Sequence, residues 1–256
     1  MTRTRTLCAA LAVAAVWYLG VATLNAQAPG SGISGSKHDF SDESANTVAV
    51  GACTFCHTPH KATQTRLLWN HTLSANTFSW DVTTTTGGTP YSTIATSWQG
   101  PSKYCLSCHD GSVAIGDVAW FRAAPRTGAA ALNSEQHNGG PGDPYQIAQG
   151  ASMAGNHPVA HPFPFNGAAS TYNGVTTGAP ALVSGWRADP TAQGIRLFTQ
   201  SGANVAAGTG VGTTGIECSS CHDPHNGTGV QDVYFLRGLV SGNAAAGYIC
   251  TKCHNK

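Results

Sequence analysis

Cys53-Thr54-Phe55-Cys56-His57 is the stretch that decides the reading, because it recurs. Cys105-Leu106-Ser107-Cys108-His109, Cys218-Ser219-Ser220-Cys221-His222 and Cys250-Thr251-Lys252-Cys253-His254 repeat the same C-x-x-C-H pattern. The chain has 9 Cys in 256 residues, and all but Cys8 fall in these four motifs. C-x-x-C-H is the attachment pattern of c-type haem. Two thiols add to the two porphyrin vinyl groups, two intervening residues set the sulfur separation, and the following His supplies an axial nitrogen to the iron. A disulfide framework would use even cysteines and zinc would use C-x-x-C pairs, but neither needs a His after every second Cys. Thioredoxin-like chemistry needs one such motif in a βαβ setting. The expectation is four covalently bound haem c groups, held by Cys53, Cys56, Cys105, Cys108, Cys218, Cys221, Cys250 and Cys253, with His57, His109, His222 and His254 as proximal ligands.

The rest of the composition agrees with a chain that does not rely on ordinary packing. Only 10% of residues are charged and 8% aromatic, while Gly (31) and Pro (13) are abundant. That disfavours long helices and a large aliphatic core. A formal charge of +1 argues against nucleic-acid binding. Arg3 and Arg5 precede an uncharged apolar run from Leu7 to Ala22, followed by small residues with Ala26 and Ala28 as cleavage positions. This reads as a secretory signal peptide over 1–28, removed together with Cys8. The run is short of the ~20 residues a membrane anchor needs. The remainder, 29–256, reads as a single tetrahaem domain with no transmembrane segment, exported to the extracellular space or cell surface, or else to the periplasm.

Seven other histidines are available for the sixth coordination positions: His38, His60, His71, His137, His157, His161 and His225. Met153 is the only methionine besides Met1, so at most one haem takes a His/Met pair. Bis-His ligation throughout is the economical expectation, and it implies low potentials and no open iron. His60 and His225 each follow a proximal His by three residues, in Cys56-His57-Thr58-Pro59-His60 and Cys221-His222-Asp223-Pro224-His225. Imidazoles on opposite faces of one iron need Cα atoms roughly 12 Å apart, while three extended residues span at most ~10 Å. Neither can cap its own haem. His71 beside Leu67-Leu68-Trp69, His157 before Pro158, and His38 beside Asp39 complete the distal candidates; His161 and His137 read as ordinary histidines.

The expected fold is a loop-rich multihaem cytochrome c with few short helices, one small hairpin, and a core built largely from stacked covalent haems. Each C-x-x-C-H is expected to open a short helix. Trp69, Trp80, Phe55, Tyr104, Tyr234 and Phe235 are expected to pack the porphyrins. Residues 83–90 and 201–215 read as loops, and Gly194 to Thr199 is expected to pair with Gly215 to Cys218 as the hairpin. The haem-free stretch 111–216 reads as surface wrapping. Four haems bring about eight propionate charges, so the holoprotein should be acidic, with Arg66, Arg122, Arg187 and Arg237 available to pair with propionates.

These residues resemble the doubled-CxxCH multihaem cytochromes, and in particular OmcE-like tetrahaem subunits of extracellular cytochrome filaments (nanowires) in metal-reducing bacteria. The stretches that carry the resemblance are Gly32 to Asp39, Cys53 to His60, Leu67 to His71, Tyr104 to Gly111, Asn156 to Val159 and Glu217 to His225; Gly116 to Gly150 has no counterpart. The resemblance implies bis-His haems stacked in alternating parallel and T-shaped pairs. It also implies a His after the first motif, here His60, that ligates a haem of the next subunit. An electron-transfer protein rather than an enzyme is therefore expected, assembling head to tail as a homopolymer and passing electrons to other redox proteins and extracellular acceptors. A soluble periplasmic tetrahaem shuttle is the alternative, and a multihaem reductase a third reading.

Overall fold

The computed structural model describes residues 28–40, 52–113, 118–121, 124–126, 146–182, 185–232, 234–243 and 246–255. Residues 1–27, where a signal peptide is expected, Arg122 and His137 lie outside these.

Regular structure is sparse and short. Helix α1 spans Pro101–His109 and helix α2 only Cys218–Cys221. Pro101 suits the first turn of α1, where its missing N–H costs nothing, and Gly100 precedes it in extended geometry. A capping box between Glu217 and Ser220 holds the single turn of α2. Strands β1 (Val118–Phe121) and β2 (Ala124–Arg126) form one antiparallel pair, and β4 (Thr171–Tyr172) and β5 (Val175–Thr176) another. The largest sheet contains β3 (His161–Pro162), β6 (Phe198–Ser201), β7 (Asn204–Ala207) and β8 (Thr214–Ile216), in the antiparallel order β3-β8-β6-β7. Pro162 sits on an edge strand, where a missing ladder donor is tolerated.

The expected pairing of the Gly194 region with the Gly215 region is present, as Phe198 opposite Gly215 and Thr199 opposite Thr214. It is not a hairpin. The hairpin partner of β6 is β7, closed by the two-residue loop Gly202-Ala203, with Gly202 at φ 59. Residues 201–215 are thus not one loop, since β7 and the start of β8 lie within them.

From residue 146 onward the stretch read as surface wrapping is mostly exposed or half-buried, but it also supplies buried side chains to the core. Phe78, Ile94, Trp98, Leu106, Ala148, Met153, Ala160, Tyr172, Phe198 and Val205 form one buried cluster. Phe163, Phe165, Ile195 and Leu197 form a second, against which Ile249 and, in the fourth motif, Cys253 pack. Phe40, Phe55 and Val118 form a third against Cys56. The aliphatic and aromatic residues of 146–216 are scattered among Gly and Thr, so no period betrayed them, yet tertiary contacts gather them into a core. Tyr234 is 58% exposed and does not belong to it.

Only α2 is opened by its motif. The second motif closes α1, the fourth lies in a 3-10 turn, Ile249–Lys252, and the first in a turn outside any named helix. Among the described residues no helix is long and apolar enough to cross a membrane.

Candidate haem sites

A shared backbone bond shapes the motifs. The N–H of the motif His donates to the carbonyl of the first Cys at 2.9 Å for His57, 3.0 Å for His222 and 2.9 Å for His254, and α1 holds the second motif in helical geometry. In one helical turn positions i, i+3 and i+4 share a face. Both Cys and the His of each motif therefore stand together, and the intervening residues turn the other way. Phe55, Leu106, Ser107, Ser219, Ser220 and Lys252 are buried in the protein, whereas every motif Cys and His keeps some solvent exposure. All eight thiols are free rather than paired in disulfides.

Three of the four motif histidines face a histidine from elsewhere in the chain. Ring centroids lie 6.2 Å apart for His57 and His225, 6.0 Å for His109 and His38, and 6.5 Å for His254 and His157. With metal–nitrogen bonds of about 2.0 Å, two imidazoles trans on one metal have centroids about 6.3 Å apart, whereas two ligands of a tetrahedral zinc have them about 5.1 Å apart. The observed separations are those of two imidazoles on opposite sides of one metal ion and exceed the tetrahedral value. Among the described residues no three His, Cys, Asp or Glu side chains converge as a bare metal ion would require.

The ring tautomers are arranged for ligation. Nδ1 of His57, His222, His38, His157 and His71 pairs with the carbonyl of Leu67 (2.6 Å), Tyr234 (2.8 Å), Pro224 (3.0 Å), Pro158 (2.9 Å) and Thr72 (3.0 Å). A carbonyl only accepts, so Nδ1 carries the proton and Nε2 keeps its lone pair for a metal.

Cysteine contacts join the motifs in sequence order. Burial first, then the neighbouring Cys108 and Cys53, pushes the Cys56 thiol up to about 12. Cys105 is held protonated, first by its hydrogen bond to Cys218, and that same bond lowers the Cys218 thiol. Burial, then Cys218 and Cys250, pushes Cys221 up to about 11. The first motif thus adjoins the second, the second the third, and the third the fourth.

The other sequence candidates are placed as follows. His60 is exposed. His71 is 1% exposed, its ring 6.3 Å from that of Phe55 in the first motif. His161 is buried beside Ser92 Oγ at 3.3 Å, and burial lowers its imidazole to about 4. Met153 is in the main core cluster. Among the described residues no second imidazole lies at the trans separation from His222.

A structural repeat of the first and third motifs was not read from the sequence. After each Cys-His-x-Pro-His the chain returns to the motif. Thr58 N–H donates to Leu68 O and Asp223 N–H to Phe235 O, both at 2.8 Å; Asn70 N–H donates to Cys56 O and Arg237 N–H to Cys221 O, again both at 2.8 Å. Isolated bridges join His57 to Trp69 and His222 to Leu236. Even the left-handed residues correspond, Lys61 (φ 55) with Asn226 (φ 51) and Leu68 (φ 50) with Phe235 (φ 58). The signal was the apolar triplets Leu67-Leu68-Trp69 and Tyr234-Phe235-Leu236 following the two motifs.

The returning loops also present donors. Trp69 Nε1 and Arg237 Nε are buried with no partner among the described residues, although Arg237 Nη2 lies 3.4 Å from Asp223 Oδ2. Haem carboxylates are the acceptors such donors fit. Arg187, by contrast, donates from Nε to Thr251 O at 2.6 Å. No protein-family model matches the chain, and no curated protein matches it in sequence.

Proposed function

We propose that this chain is a tetrahaem c-type cytochrome whose role is electron transfer rather than catalysis. The observation that carries the reading is the set of three motif histidines, each facing a distant histidine at the trans distance with Nδ1 tied to a carbonyl or, for His225, near Asp223 Oδ1 at 3.6 Å. The eight motif cysteines would hold four haem c groups. His57 with His225, His109 with His38, and His254 with His157 would bind three irons on both faces. Bound haem supplies a one-electron iron couple. The chain would set the spacing and order of the four groups, offer an imidazole to each side of three of them, and hold the Nδ1 proton of rings such as His57, His38 and His157.

The fourth pair belongs to assembly. In the repeat, the second His of the third unit, His225, faces the first unit's His57. The equivalent His60 of the first unit is exposed, and the same relation carried to another copy places it against that copy's His222. Such a contact uses different surfaces on the two partners and propagates head to tail. An exported chain of this kind forms an extracellular filament that carries electrons over many subunits. Negative-stain microscopy of secreted protein tests this: wild type forms filaments and His60→Ala leaves dispersed particles. Dispersed wild-type particles with four low-spin haems would instead establish the soluble shuttle.

A further inference from the structure

Between the second and third motifs lies a buried carboxylate that neither attachment nor ligation uses. Glu217, 1% exposed, precedes Cys218. Its Oε2 accepts the N–H of Ser102 at 2.9 Å, and its Oε1 accepts the hydroxyl of Tyr172 at 2.7 Å. Ser102 Oγ in turn accepts the N–H of Cys218 at 3.0 Å. One network therefore ties the first turn of α1 to the start of α2.

The groups facing this carboxylate come from each element packed on it. Ser102 and Cys105 lie on α1, Tyr172 on β4, Cys218 on α2, and the indole of Trp98 just ahead of α1. Its charge raises both the Cys105 and the Cys218 thiol, as secondary contributions beside their mutual hydrogen bond. Arg66 acts on Tyr172 as an opposing charge. Among the described residues no lysine or arginine forms an ion pair with Glu217. A carboxylate buried without a counter-ion binds a proton more readily than one in water. Burial raises Glu217 to about 6, against the pull of its hydrogen-bond donors.

Resting on the tetrahaem reading, we propose that Glu217 is the proton-binding site coupled to electron entry at the second and third haems. With haem bound at these two motifs, a one-electron donor would reduce its iron from Fe(III) to Fe(II), and the Glu217 carboxylate would take one proton from solvent to become the acid. Loss of the electron reverses both steps. The coupling follows from Coulomb's law in a poorly screened interior: an added negative charge beside Cys105 or Cys218 disfavours a second one on Glu217.

The test is a spectroelectrochemical titration of the purified holoprotein against a mediated electrode between pH 5 and 8. Haem content weighed beforehand by mass reports on the underlying reading, and the pH slope reports on Glu217. In wild type one component's midpoint potential falls with rising pH near 6, approaching one proton per electron, which is tenfold in equilibrium or about 59 mV per pH unit. Glu217→Gln flattens that slope. Tyr172→Phe removes a donor to the charged form, keeps the slope and moves it to higher pH. Reduced-minus-oxidised infrared spectra of wild type gain a protonated-carboxyl band. An unchanged slope in Glu217→Gln, which would assign the proton to propionates, or the absence of that band, overturns the proposal.

Discussion

His225 faces His57 across 6.2 Å with ring planes 26° apart, although 168 positions separate them in sequence. The pair closes the chain on itself, bringing the third motif's returning loop onto the first motif. On the tetrahaem reading proposed above, His225→Ala would leave the first iron one axial ligand short while all four haems stayed attached. We expect one quarter of the haem to become high-spin in absorption and paramagnetic resonance spectra, with the mass lowered only by the substitution. His38→Ala and His157→Ala should each do the same for another haem. An all-low-spin spectrum in His225→Ala would refute the pairing.

The approach of α1 to the third motif leaves no room at Gly100. A Cβ there would overlap the carboxyl of Glu217 and the indole of Trp98. Neither can yield, because the carboxyl is held by Ser102 and Tyr172 and the indole is packed edge-on to Tyr172 at 5.3 Å. Gly100→Ala should cost about 2 kcal/mol, measured by denaturant unfolding. A neutral result would mean that α1 shifts freely against α2.

How much was legible in sequence follows from the range of the interactions involved. The motif faces were legible because C-x-x-C-H is local: one helical turn brings its reactive atoms together whatever surrounds it. His225, His38 and His157 were legible as candidates through composition and neighbouring residues. Their partners were not, because each pairing spans a long stretch of chain. The core of 146–216 was hidden for a different reason. Phe163, Tyr172, Leu197 and Val205 stand on short strands and turns, too brief for either helical or strand period to emerge. The hairpin was misassigned because Gly202-Ala203 is a tighter connection than the Gly-rich segment after it, and β7 took the place given to β8.

Glu217 also gives folding a pH dependence of known sign. Burial lifts its carboxyl from 4.5 to about 6, so the folded state keeps a proton that the unfolded chain has released. Its stabilising contribution is full below pH 4.5 and is lost as pH rises through 6. The shift corresponds to about 2 kcal/mol. The stability difference between wild type and Glu217→Gln should move by that amount in favour of Gln between pH 4.5 and 7.5, by denaturant unfolding at both. A constant difference would place the carboxyl in contact with solvent.

Leu106 ties the polypeptide core to the second candidate haem site. It lies between Cys105 and Cys108, is fully buried, and packs with Phe78, Ile94 and Trp98. The thiols on one face of α1 are thus aimed by an apolar anchor on the other. Leu106→Ala leaves the attachment chemistry intact and opens a cavity beneath it. The expected cost is about 2–5 kcal/mol, seen as a lower unfolding midpoint with four haems still present by mass. Because α1 then loses its purchase on the core, the second haem should also broaden in paramagnetic resonance while the others keep their line shapes. If stability falls and all four lines stay sharp, Leu106 contributes only to the core and α1 is positioned by Cys218 and Ser102 alone.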